Sequence, residues 1–311
     1  MSQSNGELPS TNPADELRLG FMFALSAYGM WGFFPIFYKL VGDFPPLFVV
    51  AHRIVWSVVF VTIFLTLVGR MGEVVRIIRE PKNLGLLALS AATIASNWLV
   101  FVWAVGQSMV LDVSLGYFLN PLVSITIGLV VLREKLNRLQ LIAVALVVVA
   151  VSVQGIMSGG LPWVSLVLGL SFAVYGYIRK ITPVKATPGL LVETCLVAPI
   201  ALGFLIWNWD VAVSGVAETD TFLFVVLMVS GPLTALPLVM FSASARRLPM
   251  IYIGLMQYIV PSMHFLLAVF LWNEPLDPTR QITFIIVWCA LVVFTYDSVT
   301  RARKSRVVQT P

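Results

Sequence analysis

The 311 residues are 59% AVILMFWYC and only 11% DEKR, with a mean hydropathy of +0.93. A water-soluble domain carries about 25% charged and about 45–50% apolar residues, so this chain cannot cover itself in water and reads as an integral membrane protein without a sizeable soluble domain. The net charge of +5 comes from short basic clusters between apolar runs rather than from one basic face, which excludes a nucleic-acid partner.

In chain order, a polar stretch over 1–18 reads as a cytoplasmic tail rather than a signal peptide, because the first apolar run continues into a polytopic chain. Apolar runs then predict ten transmembrane helices at 19–41, 46–69, 84–106, 110–132, 138–156, 161–180, 189–208, 221–242, 250–272 and 280–298. Residues 301–311 form a basic tail. With 1–18 placed inside, Lys39 and Arg280 fall on the outer side, Arg53 falls within a helix, and the remaining basic residues fall inside. That positive-inside bias puts both termini in the cytoplasm and makes the number of crossings even.

The chain repeats itself at a shift of 140 residues: LNPLVSITIGLVVLREKL overlies IVPSMHFLLAVFLWNEPL, matching Pro121 to Pro261, Glu134 to Glu274 and Arg53 to Glu193. Each half, 19–156 and 157–300, holds five crossings, so the second half must be inverted relative to the first. Inverted repeats around a midplane site are a recurrent device of secondary transporters. No GxxxxGK[ST] is present to couple ATP.

The segments AYGMWGFFPIFYKL (27–40), AHRIVWS (51–57), SNWLVFVWAV (96–105), SLGYFLNPLV (114–123), LVETCLVAP (191–199) and GLMQYIVPSMHFLLAVFLWNEPL (254–276) resemble the RarD family of EamA-type drug/metabolite transporters over roughly 19–300. The resemblance implies an all-α fold of two inverted five-helix repeats, an inner-membrane location, and export of small amphipathic metabolites or drugs, amino acids and chloramphenicol-like compounds among them.

The residues themselves single out Arg53, about seven residues into its helix and roughly 10 Å from the nearer boundary, where a charge costs about 2.5–3.5 kcal/mol unless it faces a cavity or partner. Glu193 is its repeat counterpart, about four residues into its own helix; the roughly 14 Å difference in depth argues against a direct pair. Arg53 is therefore expected in an outer-half cavity and Glu193 in an inner-half one. His52 points about 100° away from Arg53, and His264 follows Pro261; both imidazoles are candidates for proton transfer against a plainer role as hydrogen-bonding groups. Tyr28, Trp31, Asn97, Trp98, Tyr117, Asn120, Tyr175 and Gln257 form the candidate substrate surface, with Trp31 and Tyr117 expected to be centrally buried. Pro121 and Pro261 are candidate hinges.

Glu134 and Glu274 read as caps of the helices that follow them. Ser124 and Gly128 form a small-xxx-small step that suits helix contact within the chain or in a homodimer. Cys195 and Cys289 read as small buried hydrophobes, and with two histidines no metal set can be assembled. No cofactor is called for, and no Ser/His/Asp set, paired carboxylates or HExxH suggests an enzyme.

Overall fold

The computed structural model describes residues 13–41, 44–107, 109–157, 163–208, 221–271, 273 and 278–307, and every element among them is a helix. They are α1 (Pro13–Gly32), α2 (Phe34–Leu40), α3 (Pro46–Leu67), α4 (Met71–Arg79), α5 (Pro81–Gly106), α6 (Val110–Val130), α7 (Arg138–Met157), α8 (Trp163–Ile181), α9 (Ala186–Trp207), α10 (Thr221–Ala245), α11 (Met250–Gln257), α12 (Ile259–Leu266), a π turn at Leu267–Leu271, and α13 (Pro278–Val307). Eight stretches are long and apolar enough to cross a membrane, and shorter apolar helices at Leu115–Val130 and Gln281–Asp297 supply the fourth and tenth crossings.

The inverted repeat is visible in the packing. The second, fourth and fifth crossings each pack on their own counterparts, α3 on α9, α6 on α11 and α7 on α13, as a two-fold axis requires. The contact of α5 with α8 is matched by that of α10 with α1. Backbone turns repeat too: Arg133 (φ 54°) and Asn273 (φ 52°) both lie in the left-handed region, 140 residues apart. At the first, the N–H of Glu134 bonds the carbonyl of Gly128 at 2.9 Å, closing the end of α6 in the manner of a Schellman motif.

Several sequence expectations need correction. Helix α1 starts at Pro13, inside the stretch read as a tail, and α13 runs to Val307, into the stretch read as the basic tail. The first crossing is broken at Phe33, because Pro35 has no N–H to continue the ladder. The ninth crossing breaks at Tyr258, just before Pro261, whereas α6 continues unbroken through Pro121. An unpredicted amphipathic helix, α4, buries Val74 and Ile77 and presents Arg76 and Arg79. Both cysteines are exposed on the bundle surface instead of buried.

The basic end of the bundle is tightly tied. Lys185 and Arg70 converge on Glu73 at 2.9 and 3.0 Å, and Arg247 meets Glu16 at 2.8 Å. Lys180 donates to the carbonyls of Leu248 (2.5 Å) and Ala245 (3.3 Å), and Arg246 donates to that of Val184. Glu134 is indeed a cap, but of the other repeat: its carboxylate accepts the N–H groups of Met250 (2.8 Å) and Ile251 (3.0 Å) at the start of α11. The helix that follows it, α7, is capped by Asn137 and Gln140 in a reciprocal box. Glu274 lies outside the described residues.

Candidate functional site

Arg53 lies seven residues into α3, about 10 Å along the axis from Pro46, and is 8% exposed. Its Nε donates to Thr234 Oγ1 of α10 at 2.8 Å, and Thr234 in turn donates to the carbonyl of Ser230. One terminal nitrogen donates to the Tyr38 hydroxyl on α2. The guanidinium sits 5.3, 5.7 and 5.8 Å from the ring centres of Phe34, Tyr38 and Trp98, so three aromatic faces replace part of its lost hydration. Among the described residues no carboxylate pairs with it, and its second terminal nitrogen meets no acceptor. The break at Phe33 makes this box: it starts the short helix α2 that carries Phe34 and Tyr38 over the guanidinium.

Glu193 lies deeper than the sequence placed it, because α9 starts at Ala186 and puts it seven residues in. It is 2% exposed, and its partner is Arg179, fully buried near the end of α8, at 3.4 Å. Sequence reasoning had counted Arg179 among the cytoplasmic surface charges. Its Nε donates to Ser242 Oγ (3.1 Å) and Nη2 to the carbonyl of Ala186 (3.2 Å). Gly189, one turn before Glu193, makes room for it: a Cβ there would stand 2.5 Å from Arg179 Nη1. Tyr175 closes the cluster through a 3.4 Å contact with Ser242.

Trp98 connects the two charged centres. Besides facing Arg53, it lines a narrow, largely apolar cavity of about 10 Å³ with Ile54, Tyr175, Glu193, Thr194 and Leu238. Tyr28, Trp31 and Tyr175 belong with Phe172 and Phe241 to an aromatic cluster joining α1, α8 and α10, with Tyr175 and Phe241 stacked at 5.8 Å.

The other predicted residues lie elsewhere. The Tyr28 hydroxyl donates to the carbonyl of Ile253 at 3.1 Å, fixing α1 to α11. Asn97 clamps α5 to α8 through Leu168 and Ser171, both at 3.0 Å. His264 Nε2 lies 3.1 Å from the carbonyl of Trp31, the one left free because Pro35 has no N–H. His52 packs on Phe48 with ring centres 4.4 Å apart, and neither ring nitrogen has a partner among the described residues. Tyr117 was expected to be centrally buried; it is 40% exposed, packs on Phe101, and remains within electrostatic reach of Tyr38 and Arg53. Asn120 is buried, and its Oδ1 has no partner among the described residues. Gln257 accepts from Ser124 at 3.5 Å, and Gly128 packs against Met250, so the small-residue step is used within the chain.

Tyr38, Phe34, Thr234, Arg179 and Ser242 were missed by sequence reasoning. The 140-residue register could have found Arg179, which it pairs with Lys39 on the same helix as Tyr38.

Residues 18–154 match the EamA-like transporter family. The chain is 41% identical over 292 residues to protein RarD of Streptomyces exfoliatus, covering 94% of this chain and 93% of that one. It is 39% identical over 294 residues to the uncharacterized transporter YojE of Bacillus subtilis, covering 94% and 98%. A solved crystal structure 14% identical in sequence superposes with a TM-score of 0.66 over 92% of this chain and 98% of that one, which supports the fold alone.

Proposed function

The chain belongs to the EamA-like transporter family and is a multi-pass membrane protein, and we propose that it is a secondary transporter exporting small amphipathic metabolites or drugs across the bacterial cytoplasmic membrane. The substrate class is amino acids, aromatic ones included, or chloramphenicol-like compounds. Both termini are cytoplasmic, and the halves 19–156 and 157–300 exchange conformations to move one site between the two sides.

One observation carries this reading: a buried arginine with no carboxylate partner among the described residues, boxed by aromatic rings. A guanidinium with an unused donor recognises a carboxylate, nitro or carbonyl oxygen. The faces of Phe34, Tyr38 and Trp98 suit an adjoining planar apolar group. The ties through Glu134, Glu16 and Lys180 join helices of both repeats at the basic end of the bundle.

The test is untargeted metabolite analysis of the medium from cells expressing wild type or Arg53→Ala at matched membrane abundance. A carboxylate- or nitro-bearing compound enriched only with wild type is the expected result. Depletion of such a compound from the medium would reverse the direction to uptake, and no difference with any supplied compound would overturn the assignment of Arg53.

A further inference from the structure

The Arg179–Glu193 pair does not have the finish of a structural salt bridge. Buried ion pairs hold only when further hydrogen bonds satisfy the remaining donors and lone pairs. Here both side chains are buried, yet neither Glu193 oxygen nor Arg179 Nη1 makes a hydrogen bond among the described residues. The Ser90 hydroxyl, fully buried on α5, lies near the carboxylate and can fill at most one of its lone pairs. Beside the carboxylate lies the cavity of about 10 Å³ that Trp98 also lines. A buried anion with unfilled lone pairs is equipped to take up a proton, and the space beside it is too small for an amine-bearing substrate.

Resting on the transporter reading above, we infer that Glu193 carries the proton that drives the transport cycle, with Arg179 as its fixed counter-charge. A hydronium ion gives its proton to one carboxylate oxygen: an O–H bond forms, water leaves, and Arg179 keeps its own proton. The attraction between α8 and α9 is thereby lost, while Arg179 stays anchored on Ser242 and the carbonyl of Ala186. Proton loading thus releases α9 at Glu193 while its first residue, Ala186, stays tied to α8, a local loosening that alternating access can use. Around Glu193 the described titratable and charged groups are Arg179 and Tyr175 from α8 and, beyond them, Arg246 after α10, in reach of Arg179. Arg53 on α3 lies across Trp98. Among the described residues lining the cavity, α3, α5 and α10 contribute Ile54, Ile94, Trp98 and Leu238, and the buried side chains of α4 are Val74 and Ile77.

Two measurements test this. Infrared difference spectra of the full-length protein in detergent, between about pH 5 and about pH 9, should show a protonated-carboxyl band in wild type, absent in Glu193→Gln and restored in Glu193→Asp. In proteoliposomes with labelled phenylalanine as probe, a gradient of about one pH unit should support about tenfold accumulation at one proton per substrate. Glu193→Gln should lose that accumulation while retaining exchange of labelled for unlabelled phenylalanine. A band that persists in Glu193→Gln, or accumulation that survives in it, overturns the inference. If wild type does not move phenylalanine, that counts against the substrate reading, and the infrared result alone decides whether Glu193 binds the proton.

Discussion

Arg179 and Glu193, paired at 3.4 Å in the second repeat, occupy the positions that the 140-residue register matches to Lys39 and Arg53 in the first. The matched positions differ in charge and in burial: Arg179 is fully buried against Glu193, whereas Lys39 is exposed and its neighbour Tyr38 is the residue that meets Arg53. The second repeat balances its arginine internally, and the first leaves Arg53 to hydroxyls and aromatic faces.

That asymmetry makes Arg53 sensitive in a particular way. Arg53→Ala leaves no buried carboxylate unpaired, so the protein still inserts, but it removes charge-assisted hydrogen bonds of about 1.5–3 kcal/mol each. The half-saturating concentration of an anionic or nitro-bearing substrate should rise roughly 10- to 100-fold, as read from concentration-dependent efflux. Arg53→Lys should recover only part of this, because a point charge cannot engage Thr234, Tyr38 and a ligand from one planar fork.

Glu134 ties the end of the first repeat to the start of α11. Glu134→Ala leaves two helix N-terminal N–H groups without their acceptor and removes a charge favoured there, a cost of about 1–2 kcal/mol. Hydrogen exchange at Met250 and Ile251 should accelerate accordingly. Unchanged exchange at those two amides would show that the cap does not hold the helix.

Gly189 and Gly203 lie on the same helix, and alanine should affect them oppositely. At Gly189 a Cβ meets Arg179 Nη1 at 2.5 Å, so Gly189→Ala must displace the guanidinium and lower thermal stability by about 1–3 kcal/mol. At Gly203 nothing lies within 4 Å, and Gly203→Ala should be neutral or stabilise by about 0.5–1 kcal/mol through helix propensity. Thermal unfolding in detergent separates the two.

Glu73, outside the spanning segments, is held at about 2, well below the ordinary carboxylate value of 4.5, chiefly by hydrogen bonding to Arg70 and further by Lys185. Since the folded value is depressed, the stabilisation is fully present above the ordinary range and is lost as pH falls toward 2. These groups are partly exposed, so Glu73→Gln should cost less than about 1 kcal/mol at neutral pH. The difference between the two proteins should shrink on acidification and with added salt, as read from unfolding midpoints.

The ten crossings and their inverted repetition were legible because bilayer burial imposes long apolar runs and because Pro121, Glu134, Pro261 and Glu274 keep one register. Arg179 was misread because it adjoins Lys180 at a helix end, where charge counting treats both as surface groups; Ser242 of α10 and the first two turns of α9, at Ala186, Gly189 and Glu193, enclose its side chain. Tyr38 and Thr234 were invisible for another reason. Their role depends on the break at Phe33 and on where α10 crosses α3, and neither follows from periodicity. Glu134 looked like the cap of the next helix because sequence reports neighbours along the chain, whereas the two-fold packing brings α11 closer.

The most direct test of the account is counterflow in proteoliposomes, using the compound that metabolite analysis identifies. Unlabelled compound on one side should accelerate entry of labelled compound from the other in wild type, with saturation, and Arg53→Ala should abolish the acceleration at the same concentration. Flux that neither saturates nor responds to the opposite side, or acceleration that survives in Arg53→Ala, would contradict a carrier built around Arg53.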